Sequence, residues 1–70
     1  MERPPEPLHA SIEVLRQCCD AVQDGDIIGK STRDWLYQRG YIFRADGYNI
    51  ITAEGVDFLT FLSGLEEATA

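Results

Sequence analysis

Histidine, cysteine and basic residues are scarce in this chain, and each scarcity closes off a class of function. The one histidine, His9, has no Cys-x-x-Cys or His-x-x-x-His companion, so the sequence builds neither a zinc site nor a histidine-based catalytic triad. The two cysteines are the adjacent Cys18 and Cys19, which point about 100° apart on a helix and are poorly placed to bridge each other. They read as reduced, packed thiols. The glycines are scattered as punctuation, and no Gly-rich phosphate loop of the Walker or dinucleotide type occurs. The carboxylate pairs Asp24/Asp26 and Glu66/Glu67 have no evident pocket to raise a pKa and are expected to be solvated charges. No run approaches the roughly 20 apolar residues of a membrane span, and Met1 to Pro7 lacks the apolar stretch of a secretion signal. The expectation is a cytoplasmic chain with no membrane contact, no enzyme activity, no cofactor or metal, and no small-molecule substrate.

What is present is an ordinary folded composition, 44% hydrophobic and 26% charged, in a length that allows one domain. A chain of 70 residues buries only about 60% of the surface its unfolded form exposes, so each large apolar side chain counts. Twelve acidic residues against six basic ones give a net charge of −6, which on average repels a phosphate backbone. The basic residues are nonetheless clustered. Lys30, Arg33, Arg39 and Arg44 fall between residues 30 and 44, where Asp34 is the sole acid. This is either a solvated mixed face or an electrostatic footprint for a polyanion.

All three prolines lie in residues 1–7, which are expected to form an extended arm ahead of a single domain over 8–65, with 66–70 as a frayed tail. Leu8, Ile12, Leu15, Cys19 and Val22 recur at helical spacing and predict a first helix that Gly25 stops near Asp24. Ile27 and Ile28 then need burial in a short connector. Ser31 or Thr32 is placed to cap a second helix over about 32–39, anchored by Trp35 and Leu36 and ended by Gly40. Tyr41 to Arg44 and Tyr48 to Thr52 are rich in aromatic and β-branched residues, and Asp46-Gly47 between them is a strong hairpin signal. Thr52 is placed to cap a third helix over about 53–63, carrying Val56, Phe58, Leu59, Phe61, Leu62 and Leu65. The fold class expected is α+β, mainly α, in the order α-α-β-β-α with a two-stranded antiparallel hairpin.

The segment Ser31-Thr32-Arg33-Asp34-Trp35-Leu36-Tyr37-Gln38-Arg39-Gly40-Tyr41-Ile42, with Asp46-Gly47-Tyr48-Asn49-Ile50-Ile51-Thr52-Ala53-Glu54-Gly55, resembles the second half of a winged helix-turn-helix. In MarR-type and PadR-type regulators a recognition helix ends at Gly, an apolar pair opens a strand, a wing turns back, and Thr-x-Glu-Gly starts the closing helix. The resemblance covers about half the chain and is abbreviated, because only Asp24 to Lys30 separates the first two helices. It implies a DNA-associated regulator, dimeric, with Ser31, Thr32, Arg33, Gln38 and Arg39 on the recognition helix and Arg33 nearest the base edges. It also implies Arg44 approaching phosphate from the wing, with Lys30 adding to the backbone contacts.

Hairpin register supplies a second reading. With Asp46-Gly47 as a two-residue loop, Ala45 pairs with Tyr48, Arg44 with Asn49, Phe43 with Ile50 and Ile42 with Ile51. Strand alternation then places Ile42 and Ile51 on one face, and Phe43, Ile50, Tyr48 and the body of Tyr41 on the other. One hairpin on three helices covers only one face well. The third helix likewise spreads its apolar residues, Phe58 and Phe61 among them, over roughly 220° of the wheel. Tyr41, Phe43, Tyr48, Ile50, Phe58 and Phe61 are therefore candidate contacts for a protein partner or a second copy, and the chain would be an acidic inhibitor or adaptor. Duplex DNA and a protein target both remain open at this point.

Overall fold

The computed structural model describes residues 8–69, so the expected arm over residues 1–7 lies outside the described residues. The fold is α+β. Helix α1 (Leu8–Gln17) leads to a two-residue strand β1 (Val22–Gln23), a 3-10 turn at Asp24–Asp26 and helix α2 (Lys30–Gln38). Strands β2 (Ile42–Ala45) and β3 (Tyr48–Ile51) follow, and helix α3 (Ala53–Thr69) closes the described chain. The strands form one antiparallel sheet in the order β1-β3-β2, three strands where the sequence led us to expect two.

The additional strand arises because α1 stops seven residues before the expected Asp24. Backbone bonds from Cys18 N to Val14 O (3.0 Å) and Cys19 N to Arg16 O (3.2 Å) close its last turn. The Cys18 carbonyl then accepts from Ile51 N at 2.9 Å, and Val22 and Gln23 pair with Asn49 and Tyr48. A two-stranded hairpin leaves the N–H and C=O groups along the far edge of β3 without partners, and this segment pairs with that edge. Val22 continues the helical spacing of α1 by coincidence, since an inward-facing strand residue can fall at the same sequence interval as a helix face.

The hairpin has the register expected from its turn, with Ile42, Phe43, Arg44 and Ala45 opposite Ile51, Ile50, Asn49 and Tyr48. Asp46 (φ 55°) and Gly47 (φ 77°) both take positive φ, the requirement of a type I′ turn. Gly40 (φ 83°) ends α2 through paired bonds from Gly40 N to Tyr37 O and Tyr41 N to Leu36 O, a Schellman arrangement. The start of α2 differs from expectation. Gly29 occupies its N-cap position without a side-chain bond, because Thr32 lies one turn inside the helix and faces the interior.

The core comprises Ile12, Val14, Leu15 and Cys18 of the α1 region, with Ile27, Leu36, Ile42 and Leu62. Val22, Trp35, Tyr41, Ile51, Phe58 and Leu59 pack around it. Ile27 is buried as expected, but its neighbour Ile28 is 59% exposed. The Gln17 side chain holds this connector open, donating to the Asp26 carbonyl (2.8 Å) and accepting from Ile28 N (3.0 Å), which turns the isoleucine outward.

Thr52 caps α3 as its position suggested, accepting from Gly55 N at 3.0 Å while its hydroxyl donates to the Gly40 carbonyl at 2.7 Å. One side chain thus joins the end of α2 to the start of α3. The third helix continues beyond the expected 63 to Thr69 and packs along α1, where Glu66 meets His9 at 3.2 Å. Gly55 sits where α3 crosses the end of the hairpin, and a Cβ there would run into the Tyr41 carbonyl oxygen and Ile51 Cγ1. Alanine in a helix normally gains about 1 kcal/mol over glycine. Gly55→Ala should instead lower the urea midpoint, whereas Gly64→Ala, with open space around it, should raise it.

Candidate functional site

Two of the four clustered cations, Arg33 and Arg44, converge on one carboxylate. Asp24 Oδ1 accepts from Arg33 Nη1 at 2.9 Å and from Asn49 Nδ2 at 2.7 Å, and Asp24 Oδ2 accepts from Arg44 Nη2 at 2.7 Å. Lys30 Nζ donates to the Asp24 carbonyl at 3.3 Å. Arg33 Nε reaches Asp34 Oδ1 at 2.7 Å, and Asn49 Nδ2 also meets the Val22 carbonyl at 3.3 Å. The aspartate is delivered there by β1, whose pairing continues through a bond from Asp24 N to the Gly47 carbonyl at 2.8 Å. The Arg44 hydrogen bond, followed by that of Asn49, holds the Asp24 carboxyl below its ordinary value, and the same bond pushes the Arg44 guanidinium up.

The structure divides the expected nucleic-acid residues between the interior and the surface. Arg33 and Thr32 are buried in the domain, where neither can reach a groove, because that face of α2 packs against the sheet and α1. Asn49, the register partner of Arg44, is fully buried. Asp24, expected as a solvated charge, is the common acceptor. Of the other candidates, Lys30, Ser31, Gln38, Arg39 and Arg44 are exposed, but Arg44 is tied to Asp24 and Arg39 lies over the Trp35 ring at 4.6 Å. Five of the seven residues are thus exposed, and Thr32 and Arg33 are buried.

The second candidate surface is built by strand alternation. Ile42, Ile51, Asn49 and Val22 lie on the inner side of the sheet, and the Phe43–Ile50 and Ala45–Tyr48 pairs lie on the outer side with Gln23. Phe43, Tyr48 and Ile50 are 56%, 43% and 43% exposed. Gln23 Nε2 donates to the Tyr48 hydroxyl at 3.0 Å, which fixes the ring at the β1 border. Tyr41 and Phe58 behave differently from their expected interface role. They are half-buried and stacked on each other, with centroids 4.1 Å apart and planes at 13°, and Phe58 lies 6.4 Å from Trp35. Phe61 is exposed, as are Val56 and Leu65 on the same helix.

Asp24 and Asn49 were missed because their roles depend on where α1 ends, and the residues around Cys18 carry neither proline nor glycine to mark that end. Among the described residues no group of three His, Cys, Asp or Glu side chains could hold a metal ion, and no described helix is long and apolar enough to cross a membrane. Burial, and next the neighbouring Cys19, push the Cys18 thiol up to about 11, while Cys19 is exposed and its Sγ contacts the Leu15 carbonyl at 3.5 Å. No protein-family model, curated protein or solved structure matches the chain.

A carboxyl whose folded pKa is depressed adds stability above its unfolded value, near 3.8 for Asp24, and loses it as pH falls through the lower folded value. Asp24→Asn should therefore lower the neutral-pH melting temperature and flatten the fall in stability below that point, followed by circular dichroism. A thiol-reactive chromophore should label one cysteine rapidly in the native chain and both in denaturant, because only Cys19 is accessible.

Proposed function

We propose that this chain is a non-enzymatic, winged-helix-like protein-binding module that engages its partner through the outer face of the β1-β3-β2 sheet. The observation that carries this reading is the exposure of Phe43, Tyr48 and Ile50 together on one ordered face. Aromatic side chains on a rigid strand lose little conformational freedom on docking and are enriched at interface centres. The resemblance to winged-helix regulators fits the order of α2, hairpin and α3. It does not carry a DNA-reading role with it, since Arg33 and Arg44 share the Asp24 carboxylate and the net charge is −6.

The test compares three baits in the producing cell: the wild-type chain, Phe43→Asp and Arg39→Glu. Phe43→Asp should keep the melting temperature, because its side chain is outside the core, and lose the specific partner; Arg39→Glu should keep the partner. Titration into duplex DNA at low salt should show no saturable binding. Loss of the partner with Arg39→Glu alone, or tight salt-sensitive binding of duplex, would reverse the reading in favour of a DNA-associated regulator.

A further inference from the structure

We draw no further inference here: the strongest candidate, the outer face of the β1-β3-β2 sheet with its exposed Phe43, Tyr48 and Ile50, belongs to the docking surface already proposed, and nothing in the structure shows what covers it.

Discussion

The Asp24 carboxylate is the interaction on which the other features depend. It lies just after β1, and its three side-chain donors come from α2, β2 and β3. Losing it would free the connector from the hairpin and leave Arg33, whose side chain is 9% exposed, with a single carboxylate partner at Asp34. Such a network is weak evidence for stability in itself, because desolvating charges offsets much of their attraction. Its clearer consequence is geometric. The bonds from Arg33, Arg44 and Asn49 fix how the hairpin sits against α2 in a domain whose core is small.

That geometry separates the two sides of the sheet. Charge and polar groups are gathered on the inner side near the hairpin tip, where Arg44 and Asn49 meet Asp24, while Ile42 and Ile51 continue the same side into the core. Among the described residues the outer side of these strands carries no charged side chain, and Phe43, Tyr48 and Ile50 on it stay about half exposed. An exposed Phe43–Ile50 pair on an ordered sheet is unfavourable for an isolated monomer and useful for one that docks. The basic cluster of the sequence and the aromatic surface are thus linked in part, since two of its four cations, Arg33 and Arg44, fasten the sheet that presents the aromatics.

Local signals in the sequence located the elements whose determinants are local. Asp46-Gly47 set the hairpin register, Gly40 set the end of α2, and Thr52 capped α3, each through a bond within a few residues. What was not legible depends on residues distant in sequence. The end of α1 at Gln17 and the strand at Val22–Gln23 exist because β3, some 26 residues later, offers an open edge. Burial of Thr32 and Arg33 follows from that sheet, and so does the role of Asp24. Helical periodicity correctly marked Ile12 and Leu15 as core but overran onto Cys19 and Val22, where an exposed thiol and an inward strand residue matched the same spacing. The surface reading fared similarly. Phe43, Tyr48 and Ile50 were placed by register alone, whereas Tyr41 and Phe58 required knowledge of how α3 crosses the hairpin.

The most direct test of the account is the behaviour of the side-chain protons of Arg33 and Asn49 in solution. Nuclear magnetic resonance at neutral pH should resolve the Arg33 guanidinium and Asn49 Nδ2 protons as protected signals. They should persist up to about 1 M salt, where charges are screened beyond ~3 Å, and they should be lost in Asp24→Asn. An Arg33 signal that exchanges as freely as that of exposed Arg16, or that is insensitive to the Asp24 substitution, would contradict the account.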